Sequence, residues 1–135
     1  MITVGIPTYN EEKVISKAIH STLSQISKKD EVIVVASGCT DKTVPIVKEI
    51  AKGDKRIKLI IEKERKGKAS AINLIIKNAK SDIIVQTDGD VTLGYNSIKR
   101  LLKHFKNKKV GAVTGNPCPL IPQGNLFYDW TIMSY

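Results

Sequence analysis

The chain has 135 residues, of which 41% are hydrophobic, and its 22 lysines and arginines against 13 acidic residues give a formal net charge of +9. This length suits one domain with a real core, and the longest apolar runs fall far short of the roughly 20 residues that span a membrane. The start of the chain lacks a signal-peptide pattern and the two cysteines lack a metal-binding spacing, so we expect a cytoplasmic protein with free thiols.

The positive charge is concentrated in two clusters. One comprises Lys63, Arg65, Lys66 and Lys68, and the other Lys99, Arg100, Lys103, Lys106, Lys108 and Lys109. Clusters of this kind attract polyanions through non-specific electrostatics, although a merely solvated surface has the same composition. A non-catalytic, basic polyanion-binding module therefore stays open as one function.

Strand-like and helix-like patterns alternate along the chain. Apolar, β-branched runs predict strands at Ile2–Ile6, Glu31–Ala36, Ile57–Ile61, Ser81–Val91 and Val110–Thr114. Apolar residues at helical spacing predict helices over Val14–Ile26, Val44–Ala51, Ala69–Ala79 and Asn96–Phe105, the first capped by Asn10-Glu11-Glu12. This alternation predicts a Rossmann-like three-layer α/β/α sandwich with a mostly parallel sheet. We assign this domain to residues 1–115 and treat residues 116–135 as a tail.

In such sheets, ligands bind outside the carboxyl ends of the strands. Four segments follow predicted strands and should converge there: Pro7–Asn10, Ala36–Asp41, Glu62–Lys68 and Asp88–Asp90. They supply carboxylates, cations and the hydroxyls of Thr8 and Tyr9, which suits a nucleoside diphosphate with a divalent ion. No Gly-x-Gly, P-loop or Gly-x-Ser-x-Gly pattern occurs, so a dinucleotide fingerprint, a Walker-type site and a serine-hydrolase elbow are excluded.

The stretch Ser81–Val91 reads as a buried strand that ends in Asp88-Gly89-Asp90. If the chain stays extended through Gly89, the two carboxylates project to the same side and face one point. Magnesium needs only one or two carboxylates beside substrate phosphates and water. Asp-Gly is also a common hairpin turn, but a helix pattern rather than a second strand follows it, which favours the metal site.

Four segments, in order, resemble the motifs of the family 2 glycosyltransferases. They are Val4–Glu12, Gly38–Thr43, Gly67–Asn73 and Asp88–Asp90. The resemblance covers about residues 2–115 and implies the GT-A fold, a UDP- or GDP-linked sugar donor and a Mg²⁺ or Mn²⁺ ion. It leaves the acceptor open among lipid, protein and polysaccharide, implies no specific nucleic acid, and allows contact with the cytoplasmic face of a membrane.

Carried over by position, the resemblance assigns site residues. Pro7, Thr8 and Tyr9 would line the nucleoside pocket, and Glu11 would hold the loop or contact the nucleotide. Lys68, with its neighbours Arg65 and Lys66, would approach the base or the diphosphate. Asp90 would bind the metal directly, and Asp88 would contact the ribose or a metal-bound water. The family mostly transfers the sugar by single displacement with inversion.

Two features depart from the family pattern. The family commonly has two acids after the second strand, one reading the base, where this chain has Ala36 and Ser37, so Ser37 can supply only a neutral hydrogen bond. An inverting transfer also needs a general base, and the sole acid after Asp90 is Asp129, outside the family's usual base motif.

We therefore expect the chain to be the donor-binding part of a longer enzyme, with residues 116–135 beginning an acceptor-side or membrane-proximal segment. Asp129 is the candidate base within the chain. A sugar-nucleotide pyrophosphorylase is the alternative enzyme, although it would require a glycine-rich loop with an arginine after the first strand.

Overall fold

The computed structural model describes residues 1–116 of the protein. Four strands and four helices alternate along these residues: β1 (Thr3–Thr8), α1 (Ile15–Leu23), β2 (Glu31–Ser37), α2 (Thr43–Gly53), β3 (Ile57–Glu62), α3 (Lys68–Asn78), β4 (Ile84–Gln86) and α4 (Ser97–His104). The predicted order of elements is confirmed for all eight. Their ends differ from the predicted ends mostly by one or two residues.

The four strands form one parallel sheet in the order β3-β2-β1-β4. The central strands β1 and β2 are paired from Thr3↔Glu31 to Thr8↔Ala36, so their carboxyl ends lie side by side. β4 pairs with β1 through three residues only, from Thr3↔Ile84 to Gly5↔Gln86. Each parallel connection contains a helix, as parallel strands require.

The core is built on both faces of β2, whose residues after Glu31 are all buried. On one face, Ile33 and Val35 pack with Ala71 and Ile75 of α3. Gly5 permits this approach, because a Cβ there would lie 2.5 Å from Ile75 Cγ2. Side chains alternate along a strand, so Val32 and Val34 point to the opposite face, where α2 contacts β2 and β3 and α1 contacts α2. The three-layer prediction is therefore confirmed.

One of the predicted strands does not form, and another is shorter than predicted. Val110–Thr114 forms no strand, and none of these residues is buried, so the segment has no sheet neighbour among the described residues. The fourth strand is confined to Ile84–Gln86, and Val85 alone of its three residues is buried. Described residues of the sheet flank β4 on one side only, which leaves Ile84 36% exposed.

The chain divides into two compact units, Met1–Lys99 and Arg100–Tyr135, and the first contains all four strands. The assignment of a domain to residues 1–115 and a tail to 116–135 stays a prediction. Within residues 1–116, no helix has the length and apolar character needed to cross a membrane.

Candidate active site

A cleft of about 300 Å³ lies at the carboxyl ends of the strands. It is lined by Pro7, Thr8, Tyr9, Glu11, Ser37, Arg65, Gly67, Lys68, Ala71, Asp88, Gly89 and Asp90. These include eight of the nine residues to which the sequence analysis gave a role of their own, and the ninth, Asp129, lies outside the described residues. Of the two neighbours named with Lys68, Arg65 lines the cleft and Lys66 does not. The structure therefore brings the candidates together, while their roles in binding stay predictions.

The loop after β1 is fastened to the loop after β2 by Asn10. Its backbone is left-handed, with φ 52°, and its side-chain amide bonds Thr40 twice: Thr40 N donates to Asn10 Oδ1 at 2.8 Å, and Asn10 Nδ2 donates to Thr40 Oγ1 at 3.1 Å. Two backbone amides add to this link, since Glu11 N donates to Thr43 Oγ1 at 2.7 Å and Glu12 N donates to Asp41 Oδ2 at 3.0 Å.

The prediction that Asn10-Glu11-Glu12 caps the first helix is wrong. α1 begins at Ile15 without a side-chain cap, because the Asn10 amide and the Glu12 carboxylate bond Thr40 and Lys42 after β2 instead. Residues that look like a cap in the sequence thus join two loops. The sequence pattern correctly identified side chains that bond backbone amides, but those amides belong to the segment after β2 and not to the first helix.

The loop after β3 is fixed to the end of β2 at Gly38. This residue has φ +66°, and a Cβ there would lie 2.5 Å from the backbone nitrogen of Arg65. Gly38 N donates to Glu62 O at 2.9 Å, and Lys66 N donates to Ser37 Oγ at 3.2 Å. A residue with a side chain would be strained here and would push the basic loop away.

Two planar groups, the Tyr9 ring and the Arg65 guanidinium, stack in the lining of the cleft. The Arg65 guanidinium lies 3.9 Å from the centre of the Tyr9 ring, a cation–π contact that contributes about 0.5–1 kcal/mol at an exposed site. Sequence reasoning treated Arg65 only as a neighbour of Lys68. No spacing rule reveals this contact, because Tyr9 and Arg65 belong to loops after different strands.

The two aspartates that line the cleft lie on a turn. Val91 N donates to Asp88 O at 3.2 Å, so the chain does not stay extended through Gly89 as predicted. Gly89 is buried against β1, and a Cβ there would lie 2.6 Å from Thr8 Oγ1. The turn is thus held by its contact with β1 and not by a hairpin partner among the described residues.

Charges in the cleft are unevenly distributed. The Lys68 ammonium lies 2.7 Å from Asp88 Oδ1 and 2.8 Å from Asp88 Oδ2. Asp90 is exposed. The pKa of Glu11 is raised above its ordinary value, first by partial burial and then by the negative charges of Asp90 and Asp41. The carboxylates of Glu11, Asp90 and Asp41 thus lie close enough to interact with one another.

The donor set fits a hard divalent ion that is shared with a ligand. Residues 1–116 contain no group of three or more histidine, cysteine, aspartate or glutamate side chains that could enclose a metal. Asp88 and Asp90 offer carboxylate oxygens on a turn at the cleft rim. Mg²⁺ and Mn²⁺ suit such a site, because they accept few protein oxygens and keep positions for water and phosphate.

Gly67 and Ala71 also line the cleft, and the sequence did not identify them as site residues. Their contribution is the absence of a large side chain beside Lys68. Both lie in the family-like motif Gly67–Asn73, but the motif does not show that their small size leaves room beside Lys68, so this contribution becomes visible only in three dimensions.

A parallel sheet whose carboxyl edge carries an aromatic ring, cations and paired aspartates in one cleft defines an α/β protein with a polar ligand cleft at that edge. The family model for glycosyl transferase family 2 matches residues 3–131, and the chain belongs to that family. The family prediction from the sequence is thereby confirmed. Membership also decides between the two enzyme classes considered above, against the pyrophosphorylase.

Among curated relatives, the chain is 32% identical over 117 residues to a poly-β-1,6-N-acetyl-D-glucosamine synthase of Staphylococcus aureus, covering 86% of this chain and 28% of the relative. It is 29% identical over 116 residues to an uncharacterized glycosyltransferase of Haemophilus influenzae, covering 86% of this chain and 46% of that protein. The chain thus spans less than half of the length of either relative.

Among solved structures, the fold is similar to a Pyrobaculum calidifontis mannosyltransferase in complex with GDP-Man and Mn²⁺, with a TM-score of 0.76, 34% identity, and coverage of 82% of this chain and 33% of that one. S. aureus TarS is similar in fold, with a TM-score of 0.71 and 23% identity over 87% of this chain and 38% of that one. These similarities confirm the GT-A fold.

Proposed function

We propose that this chain binds a nucleoside-diphosphate sugar together with a divalent cation, as the donor-binding part of a metal-assisted glycosyltransferase. The observation that carries this proposal is the cleft itself, where eight candidate residues from segments after four strands converge in about 300 Å³. A cleft of that volume matches a small-molecule site with a few polar groups that fix orientation.

The donor is expected to lie in the cleft with its base against the Tyr9 ring. Tyr9 offers a ring face for stacking, and the Ser37 hydroxyl offers one hydrogen bond. The diphosphate then lies near Lys68 and the aspartates, where its charge is compensated. This orientation rests on the chemistry of the two places: an aromatic ring beside a guanidinium at Tyr9 and Arg65, and an ammonium with a carboxylate at Lys68 and Asp88.

The identity of the base is proposed as guanine or uracil. The mannosyltransferase relative is described in complex with GDP-Man and Mn²⁺, and its 34% identity to this chain favours a similar kind of donor. The family commonly has an acid that reads the base at the position of Ser37. Since Ser37 is neutral, the choice between the two bases is left to experiment.

When bound, the cation supplies Lewis-acid stabilisation of the diphosphate as it leaves. Asp90 would hold the ion directly, and Asp88 would contact the ribose or a metal-bound water. Lys68 would compensate further charge on the phosphate oxygens. Each of these residues contributes through charge placed in advance, which is effective because it needs no reorganisation during the reaction.

Inversion at the sugar carbon further requires a base that deprotonates the acceptor hydroxyl. Asp88 and Asp90 are assigned to the donor side, so neither is proposed for this role. Asp129 is the candidate within the chain. The acceptor, whether lipid, protein or polysaccharide, is left to a transfer assay with each class.

Isothermal titration calorimetry with UDP-, GDP- and dTDP-sugars, with and without Mn²⁺, tests the proposal. We expect binding of at least one donor that depends on Mn²⁺ and that Asp90→Ala weakens about tenfold or more. Asp82→Ala is the matched control, because Asp82 is exposed and does not line the cleft. If no donor binds, or if Asp90→Ala binds like the wild type, the proposal is wrong.

The same titration separates this function from the polyanion-binding alternative. A polyanion site loses affinity steeply as salt is raised and is indifferent to the two aspartates. A donor site loses much less affinity when the salt concentration is raised, and its affinity depends on Asp90.

A further inference from the structure

The Lys68–Asp88 pair joins two segments of the cleft that are 20 residues apart in the sequence. Lys68 is the first residue of α3, and Asp88 begins the turn that follows β4. The ammonium contacts both carboxylate oxygens, at 2.7 Å and 2.8 Å. Their side chains are 57% and 41% exposed, so the pair can open without disturbing the core, as exposed ion pairs are weak.

The pair is incompatible with the roles proposed for its two members. While the ammonium engages both oxygens of Asp88, that carboxylate is not free to contact the ribose or a metal-bound water. The ammonium also repels any cation that approaches Asp90 on the same turn, because like charges a few ångströms apart interact appreciably even near the surface. Lys68, in turn, cannot neutralise a diphosphate while it neutralises Asp88.

We propose that Lys68 is an exchangeable counter-cation of the donor site. It neutralises Asp88, as the contacts show, and it moves to the donor's diphosphate when a divalent cation takes its place at the aspartates. The inference rests on the proposed function and specifies how that site is loaded. Its consequence is that cation and nucleotide bind cooperatively, each raising the affinity of the other by the same factor.

Cooperativity arises because each ligand removes the obstacle to the other. A diphosphate draws Lys68 away from Asp88 and thereby lowers the repulsion felt by the ion. A divalent ion at Asp88 and Asp90 frees the ammonium for the phosphates. A site in which Lys68 served only as a phosphate contact would lack the first effect.

The test measures Mn²⁺ binding to the 135-residue chain from the electron paramagnetic resonance signal of the free ion, alone and with saturating GDP or UDP. Wild type is compared with Lys68→Met and with Lys63→Met, which makes the same change of net charge in the same basic cluster but outside the cleft lining. We expect Lys68→Met to bind Mn²⁺ alone about three- to tenfold more tightly, and the gain in Mn²⁺ affinity on adding nucleotide to fall by about tenfold.

Lys63→Met should change both quantities by less than about twofold. The inference is overturned if Lys68→Met leaves the affinity for Mn²⁺ alone unchanged or lower, or if the gain on adding nucleotide equals that of the wild type. If neither GDP nor UDP changes Mn²⁺ binding in the wild type and no nucleotide binds by calorimetry, the proposed function fails and the inference fails with it. Nucleotide binding with unchanged coupling in Lys68→Met overturns the inference alone. Thermal melts of each variant confirm that the fold is kept.

Discussion

Gly89 lies so close to Thr8 that a Cβ atom on Gly89 would sit 2.6 Å from Thr8 Oγ1 and 2.9 Å from Thr8 Cβ. Thr8 is the last residue of β1, and both residues are buried. The turn that carries Asp88 and Asp90 is therefore positioned by direct contact with the central part of the sheet.

Gly89→Ala should displace this turn. We expect a loss of about 1–3 kcal/mol in the free energy of unfolding, because the added methyl group overpacks a site closed by the side chains of Thr8 and Ile15. We also expect weaker Mn²⁺-dependent donor binding. Urea denaturation and calorimetry measure the two effects. Gly53→Ala is the control, since nothing lies within 4 Å of a Cβ there, and a Gly89→Ala protein as stable as Gly53→Ala would contradict the prediction.

Asn10→Ala should loosen the link between the loops after β1 and β2. The change removes both hydrogen bonds to Thr40 and places alanine at φ 52°. The expected cost is about 1–3 kcal/mol in the free energy of unfolding. Asn10→Gly loses the same bonds but tolerates the left-handed backbone, so its cost should be smaller. Equal unfolding free energies for the two variants would show that backbone strain plays no part.

Tyr9→Ala should weaken nucleotide binding more than it weakens the fold. Tyr9 is 37% exposed and lines the cleft, so its ring is available to a base. Loss of a stacking ring typically costs about 1–3 kcal/mol of binding free energy, a factor of about 5 to 150 in Kd. Tyr9→Phe should bind almost as well as the wild type. Calorimetry with GDP and UDP compares the three proteins, and equal affinities for Tyr9→Ala and Tyr9→Phe would exclude stacking on this ring.

The pair Asp54–Arg56 should make stability depend on pH in acid. Arg56 Nε donates to Asp54 Oδ1 at 3.0 Å, and Arg56 Nη2 donates to Asp54 Oδ2 at 2.6 Å. These hydrogen bonds lower the pKa of Asp54 from its ordinary value of 3.8. A lowered pKa means that the folded state releases the proton more readily. The stabilisation is therefore complete above the ordinary value and is lost as the pH falls through the lowered one.

Asp54→Asn isolates this contribution. The difference in unfolding free energy between wild type and Asp54→Asn should be about 1 kcal/mol at neutral pH and should shrink below about pH 4. Urea denaturation at several pH values from 7 to 3 measures it. A difference that stays constant over this range, or that grows in acid, would contradict the assignment.

The strands and helices could largely be predicted from the sequence because each carries a local signal. β2 is a continuous β-branched run. α3 has an apolar stripe, and its residues Ala71 and Ile75 pack against Ile33 and Val35 of β2. Val110–Thr114 carries the same β-branched signal but forms no strand. A strand also needs a neighbour, and sequence composition does not show whether a neighbour is present.

The site was predictable as a set of residues but not as a set of contacts. Topology alone places the ends of parallel strands at one edge, so Thr8, Ser37, Lys68 and Asp88 were expected together. Partners such as Asn10 with Thr40, or Arg65 with Tyr9, depend on where loop side chains point. Nothing in the local sequence determines those directions, and the misassigned cap at Asn10 illustrates this limit.

Because β4 is short, we expect it to open locally more readily than the other strands. Three residues pair β4 to β1, against six that pair β1 to β2, so the described ladder that holds the acid turn is half as long. Local opening follows the weakest ladder, and hydrogen exchange of backbone amides reports it. Amides at Val85 and Thr87 should exchange faster than those of β2, and a ligand that bridges the turn to α3 should slow them. The segment that carries the two aspartates is thus the part of the sheet whose order depends most on occupancy of the cleft.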